Sequence, residues 1–485
     1  MQEKQLETMF SSIGAGASLG KDEIAEMLKV SPEALDAFED AYHVQVLSQE
    51  RPDDLFQINS RQAAEQNRLG TSVEDSVDTS ELQKRIVDEL LARTASYFYD
   101  GSSAHTESFQ ALPAGARPVT LTEINRLPEA IRPQLSGNLM KRDSPGNSAE
   151  VILAMFKLSK TSPDPKIRKF AYDHFRQGLD ILDLDWLTYE IIGTNPNSMG
   201  YWLPPLVRAC QGQNFFKIPK TAIVRVPITL LQLTRTEYSE LTPTTIAILD
   251  SWAHKAFHLN DEKEYFIKTG TYSSKFDFRN AHVKGEKEVR ELGEYLLYIH
   301  YQALQMASPL VTPAIYGVST TNEWVVREWI PDKENNPFIY KGMPLHTEYR
   351  IFIDCDTKEI IGYTPYWEPN TMMKRFGGGQ DADSPHQMHD YVIYKAHEET
   401  LMGRYYANID TVVEKVRALL PDLALHGQWS LDIMQNGDDF WLIDMALAEN
   451  SAFYRECVPP ECRRPTPENW LPELLLRGNP PLLMS

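Results

Sequence analysis

Residues 429–447 read WSLDIMQNGDDFWLIDMAL, two runs rich in aromatic and aliphatic residues separated by Gln435-Asn436-Gly437-Asp438-Asp439. Each run has the composition of a strand, and the polar turn between them makes the pair a hairpin. Asp432 and Asp444 occupy corresponding places in the two runs, so the hairpin sets them across from each other on one face. Two uncompensated carboxylates in that position repel. A divalent cation relieves the repulsion and prefers hard oxygen ligands. The plainer alternative is two surface acids, each in water, but the apolar flanks of both argue for partial burial.

Upstream, EYRIFID and EIIGYTPYW are two more strand candidates. The first carries Arg350, a fixed guanidinium suited to bidentate contact with a phosphate or carboxylate. Its ordinary alternative is a pair with Glu348, two residues away on the same face. EWVVREWIPD reads as a buried strand that stops at Ile330-Pro331. Its Glu328 needs a partner if buried. That partner is a structural base, Arg327 or a nearby lysine, or else the exocyclic amine of a purine. Earlier still, YFIKTGTYSSKF ends an apolar strand in Lys268 and continues into a small-residue loop with Ser273, Ser274 and Lys275. Such a loop can offer an ammonium, hydroxyls and backbone N–H groups to phosphates. A lysine at a strand end before an ordinary turn is the alternative. WLPPLVRAC can start a helix, KTAIVRVPITLLQL reads as a strand or two, and TPTTIAILDSWAHKAF and VRELGEYLLYIHYQALQ read as helices. From about residue 186 the chain is therefore expected to be an α+β domain with much antiparallel sheet.

The remaining sequence is different. Residues 1–100 contain 20 acidic and nine basic residues, contributing −11 to a formal net charge of −20 over 485 residues. Ile24, Met27, Leu28, Leu35 and Phe38 fall at helical spacing around a Ser31-Pro32 break. Two short helices in a small bundle fit this better than a DNA-binding pair, because Glu33, Asp36, Glu39 and Asp40 would repel phosphates. The expected organisation is a helical segment over 1–47, a linker over 48–79, a helical accessory region over 80–185, the α+β domain over 186–462 and an irregular tail over 463–485. GAGASLGKD has neither the glycine spacing nor the Ser/Thr of a phosphate loop. The Gly-rich stretch 376–390 reads as a surface loop, and its His386, His389 and Asp390 are too loosely spaced for a metal site. Cys457 and Cys462 lack a second pair to complete a zinc site. The acidic balance argues against general nucleic-acid or anionic-membrane binding, no apolar run is long enough to cross a bilayer, and the N-terminal MQEKQLETMF is not a secretory signal. A cytoplasmic location is the expectation.

The order of the features is more specific than any one of them. A strand lysine with its small loop is followed by a helix, a strand with an acid, a strand with an arginine, and a hairpin with two aspartates. Over about 190–455 this order resembles the ATP-grasp superfamily. It is most similar to a divergent clade that groups bacterial and phage ligases with a eukaryotic cell-division-cycle protein, a chaperone for translation-factor assembly. The resemblance implies two α+β subdomains clasping ATP and Mg2+. It implies that Lys268 contacts phosphates, with Lys275 in the loop that covers them, and that Lys220 is the best candidate for an earlier lysine. Glu328 and the backbone around Trp329 and Ile330 would meet adenine. Arg350 would stabilise the transferring phosphate, and Asp432 and Asp444 would hold Mg2+. Many members carry Asn two residues after the second acid, where this chain has Ala446; Asn450 or Glu449 would have to supply that oxygen. The implied activity is an ADP-forming ligase that phosphorylates a small-molecule, peptide or protein carboxylate and transfers the acyl group to an amine or other nucleophile. The alternative is an ATP-binding assembly chaperone or interaction module without turnover, with the acidic N-terminal region engaging a protein partner.

Overall fold

A computed structural model describes residues 80–108 and 192–464, apart from 93, 194, 236–240, 242, 308–319 and 378–384, together with 163 and 189. The helices around Ile24–Phe38, the GAGASLGKD turn, the linker over 48–79, nearly all of the helices expected in 148–185, and the tail beyond 464 lie outside the described residues.

Among the described residues thirteen strands appear in chain order: β1 (Ala95–Tyr99), β2 (Ala104–Ser108), β3 (Phe216–Lys217), β4 (Thr221–Arg225), β5 (Tyr265–Thr269), β6 (His282–Val283), β7 (Glu323–Glu328), β8 (Phe338–Ile339), β9 (Met343–Pro344), β10 (Thr347–Asp354), β11 (Glu359–Pro365), β12 (Gln428–Asn436) and β13 (Asp439–Leu447). They build a six-stranded sheet of order β2-β1-β4-β7-β5-β6, a five-stranded sheet of order β11-β10-β12-β13-β3, and the small pair β8-β9. Every pairing is antiparallel except β13 with β3. The fold is mixed α+β, as the strand-rich composition of the second half requires.

Side-chain alternation explains how the five-stranded sheet serves a core and a site at once. Tyr349, Ile351 and Ile353 of β10 and Trp429, Leu431 and Ile433 of β12 are buried in one core with Tyr405, Ile409, Val412 and Val416 of the helix Pro385–Leu419. The intervening residues, among them Glu348, Arg350 and Asp432, fall on the opposite face. In β13 the alternation changes phase. Phe440 and Leu442 join the core before a register shift, and Met445 and Leu447 join it after. Ile433 pairs with Leu442 and Asp432 with Asp444, so Ile443 is a bulged extra residue. Without that bulge the hairpin register would set Ile443 opposite Asp432 and send Asp444 toward the core.

The six-stranded sheet carries the helices Pro243–Ala256 and Leu292–Ala307, packed on each other, with Ser80–Ala92 against the first of them. Trp252 and Trp324 are fully buried here. Their indoles donate to Thr94 Oγ1 and His300 Nδ1, both at 3.0 Å, which satisfies their polar atoms.

One expectation is corrected. Sheet structure begins at Ala95 rather than near 186: the helix Ser80–Ala92 is followed by β1 and β2, and β1 pairs along its whole length with β4. Helical periodicity over 80–100 hid this, because ASYFY becomes a strand only through a distant partner. Of the strand or two expected in KTAIVRVPITLLQL, one forms, β4, and the short helix Ile228–Leu231 follows it. Pro227 at the helix N-cap turns the apolar run out of the sheet.

Candidate functional site

The two sheets face each other across a pocket of about 180 Å³. Phe266 and Lys268, two apart on β5, and Arg327, paired with Phe266 from β7, line one wall. Glu348, Asp432, Met434, Ile443 and Asp444 line the other. Ser273 and Lys275 enter from the loop after β5, Tyr366 and Trp367 from the segment after β11, and Glu328, Trp329 and Ile330 from the end of β7. The β7 terminus is held by hydrogen bonds from Glu328 N to Lys220 O (2.9 Å) and from Trp329 N to Glu264 O (3.0 Å). Trp329 stacks on His282 with ring centroids 3.8 Å apart.

Four charged side chains run in a line across the strands. Arg350 faces Asp432 in the β10–β12 register, and Asp432 faces Asp444 in the β12–β13 register. Arg350 grips Asp432 with both arms, Nε to Oδ1 at 2.8 Å and Nη2 to Oδ2 at 2.7 Å, and both residues are buried. Burial alone would lower the guanidinium pKa, but the Asp432 charge raises it above its ordinary value. Lys268 crosses from the other sheet to Asp444, at 3.2 Å from Oδ1 and 3.3 Å from Oδ2. This second pair is lopsided: the lysine side chain is 4% exposed and the aspartate 43%. The carboxylates expected to face each other uncompensated are each met by their own base. Arg350 therefore pairs with Asp432, and Glu348 is left to the pocket.

Glu348 is a third acid on this wall. Burial, reinforced by the Asp432 charge, pushes its pKa up to about 8 despite the nearby Lys275 and Arg350. At neutral pH it is largely a neutral carboxylic acid. Lys275 donates to the Tyr366 hydroxyl and lies 4.8 Å from the centroid of that ring, while the Arg350 guanidinium lies 4.7 Å from it. The buried Trp367 indole faces the Glu348 carboxyl and moderates that rise in its pKa.

Arg327 is the link that the sequence reading missed. Its Nη1 donates to Ile443 O at 2.5 Å and its Nε to Thr221 Oγ1 at 3.2 Å. It thus ties β4 and β7 to the bulge in β13. Burial lowers its pKa to about 10, against the pull of Asp444. Strand alternation with Phe266 and Lys268 was the available signal for a cleft-facing residue here, but only the register places Arg327 on their face.

The other expected site residues separate. Lys220 pairs with Glu328 at 3.3 Å, and Lys263 reaches the same oxygen at 3.4 Å. Glu328 therefore borders the pocket with its carboxylate held by lysines rather than by Arg327. Lys220 lines an adjoining groove instead of the pocket. Ser274 is buried and donates to Gln302 Oε1 at 2.8 Å. Asn450 is exposed in the turn after β13, where it accepts from Asn197 at 3.0 Å, and it does not line the pocket. The position two after the second acid thus has no oxygen supplied by Asn450. Cys457 and Cys462 are free thiols.

Asp332, Glu334 and His346 bring three possible metal donors close together. Their centre is already occupied by protein. The Asn336 amide nitrogen is 3.0 Å from Asp332 Oδ1, 3.4 Å from Glu334 Oε2 and 3.1 Å from His346 Nδ1, and Arg404 pairs with Glu334 at 3.1 Å. These contacts make the cluster a support for the loop before β8. Among the described residues no helix is long and apolar enough to cross a membrane.

No family model and no curated protein sequence matches the chain. Solved structures do show likeness, among them two of one protein. C-terminally truncated Cdc123 from Schizosaccharomyces pombe is similar at 15% identity and a TM-score of 0.31, over 55% of this chain and 92% of that one. A second structure, Cdc123 from the same organism, is similar at 13% identity and a TM-score of 0.29, over 52% of this chain and 83% of that one. Likeness of this degree carries no argument about chemistry, which rests on the pocket itself.

Proposed function

We propose that the pocket between the two sheets binds ATP with Mg2+, in an ATP-grasp-like arrangement, and that the protein is an ADP-forming ligase acting on a carboxylate through an acyl phosphate. One observation carries the reading: residues from β5 and the loop after it, β7, β12 and β13, far apart in sequence, bring three buried or half-buried cations and two aspartates to a single cleft. A polyphosphate in a protein of net charge −20 needs such local cations. The donor set also fits a hard cation, since Asp444 is open to solvent on one side and Asp432 lies beside it. Mg2+ bound there would supply charge neutralisation for the phosphates. Lys268, Lys275 and Arg327 would bind phosphate oxygens, Arg350 would hold Asp432 in place, and Glu328–Ile330 with Phe266 and Met434 would border the base. Most of the catalytic effect in such a site is positioning and electrostatics, so no protein nucleophile is required.

A second reading has its own support. Asp432 and Asp444 already have bases, so the charge row closes without a metal. This favours an ATP-binding assembly chaperone or interaction module without turnover. Incubation with ATP, Mg2+ and candidate amino acids or peptides, following ADP and phosphate, separates the two. ADP release that depends on a carboxylate and a nucleophile supports the ligase. Saturable nucleotide binding with no turnover in any mixture supports the second reading, and no nucleotide binding at all defeats both.

A further inference from the structure

Behind the wall formed by Glu328, Trp329 and Ile330 lies a second concavity of about 770 Å³, several times larger than the pocket between the sheets. Its charge is opposite to that of the molecule. Lys217, Lys220 and Lys333 line it, and each is about half exposed. Glu328 is the acid among the lining residues. The pairing around it is uneven. Lys217 and Lys333 reach the two oxygens of one carboxylate, Asp439, each at 2.6 Å. Lys220 and Lys263 share one oxygen of Glu328, at 3.3 and 3.4 Å. In each cluster two ammonium groups surround one carboxylate, so each retains a surplus positive charge. The pull of the two lysines holds the Asp439 pKa below the usual carboxylate range. Trp441 adds an indole whose N–H is buried without a partner, with the Lys217 ammonium 5.6 Å from its ring centroid. Gln211 and Asn214 expose amides on the rim.

We propose that this groove is a binding site for a short acidic peptide, a run of Asp or Glu side chains presented by a protein partner. Its carboxylates would take up the surplus positive charge left at Asp439 and at Glu328. The size and the mixed lining of lysines, amides and Trp441 suit a peptide of a few residues better than a small free anion. The same acidity that makes the groove exceptional argues against nucleic acid. A long phosphate backbone would feel the net charge of −20, whereas a short segment responds to the field within about a Debye length, ~10 Å at moderate salt. The proposal is independent of what the pocket between the sheets binds.

The test is binding of a fluorescein-labelled oligoglutamate peptide to the full chain at low ionic strength, followed by anisotropy. Saturable binding that weakens with added salt is expected. Lys217→Gln with Lys333→Gln should weaken it roughly tenfold, the scale of two surface ion pairs. Asp439→Asn should tighten it several-fold, because it removes the carboxylate that competes for both lysines. A purely structural triad predicts the opposite for Asp439→Asn, and that variant decides the matter if the double variant fails to fold by circular dichroism. No saturable binding to the wild type, equal binding by a folded double variant, no gain from Asp439→Asn, or tighter binding of a single-stranded RNA of matched charge would each overturn the proposal.

Discussion

Asp432 and Asp444 face each other in the hairpin, yet they hold different energetic positions. Asp432 is buried and gripped at both oxygens by a buried arginine, whereas Asp444 is nearly half exposed and leans on a buried lysine. Removing one member of a buried pair strands the other, at a cost of about 3–5 kcal/mol. Asp432→Asn should therefore destabilise the fold by roughly that amount in urea unfolding, with or without Mg2+. Asp444→Asn should also destabilise the fold, because the ammonium it leaves unpaired is that of Lys268, whose side chain is 4% exposed. In the folded fraction it should abolish Mg2+-dependent ATP binding, because Asn keeps one acceptor oxygen but removes the charge that a cation needs. An Asp444→Asn protein that binds Mg2+–ATP as the wild type does would remove the metal assignment. Glu348 gives a pH signature at the same scale. Its folded pKa of about 8 lies above the ordinary value near 4.5, so the folded state favours its neutral form. Its contribution to stability is complete below about pH 4.5 and is lost as pH rises toward 8. Asp250, whose pKa burial raises to about 7, acts in the same direction over the lower part of that window. Glu348→Gln should make stability flatter between pH 5 and 8 and raise it at pH 8. Chemical denaturation across that range measures this, and an unchanged slope would show that Glu348 ionises freely in the folded state.

At the scale of elements, the bulge at Ile443 does two things. It turns Asp444 from the core face to the cleft face, and it leaves backbone carbonyls in β13 for Arg327. The sheets are thus joined by a guanidinium that reaches the distorted part of the facing strand. Arg327→Lys should not restore what Arg327→Met loses, because a single ammonium cannot span Thr221 Oγ1 and Ile443 O as the planar fork does. We expect both variants to lose about 1.5–3 kcal/mol, the scale of a hydrogen bond to a charged group, with weaker nucleotide binding in parallel. A lysine variant of wild-type stability would reduce Arg327 to a space-filling role. These two features also mark where the sequence stops being readable. The strands β5, β7, β10, β11, β12 and β13 stand out because each is a local apolar run between polar turns. Lys268 and the aspartate pair were legible as strand residues for the same reason. The phase change in β13 was not, because one extra residue in a strand of Ile, Leu and Met leaves no compositional trace. Nor was β1, whose pairing with β4 spans more than a hundred residues. The partners of Arg350 were invisible too: Glu348 is near in sequence, but the register with β12 brings Asp432 into bidentate reach.

At the scale of the whole molecule, a protein of net charge −20 should repel a tetra-anionic nucleotide at long range. Binding then depends on Lys268, Lys275 and Arg327 within the cleft and on the cation that accompanies the phosphates. Two consequences follow that pull in opposite directions with salt. Monovalent salt screens the repulsion between molecule and ligand, which helps encounter, but it also weakens the contacts of the half-exposed Asp444 and the loop lysine with cation and phosphate. The buried charges Lys268 and Arg327 are screened least, so affinity should fall only modestly with salt. We expect Mg2+–ATP, at about a hundred times its Kd, to stabilise the protein by about 2.7 kcal/mol and raise Tm by several degrees. ATP with excess chelator should give a much smaller rise, because four phosphate charges would then meet Asp432, Asp444 and the molecular field without a counter-ion. Lys268→Ala should reduce the Mg2+–ATP shift while leaving the melting of the ligand-free protein little changed, since Asp444 can turn to water when its lysine is gone. Differential scanning calorimetry of the wild type and Lys268→Ala, each with ATP in Mg2+ and in chelator, gives all four comparisons. Equal shifts in Mg2+ and chelator would place the nucleotide away from the aspartates. A full shift in Lys268→Ala would place it away from β5. Either result would separate the charge row from ligand binding and leave it as the joint that holds two sheets together.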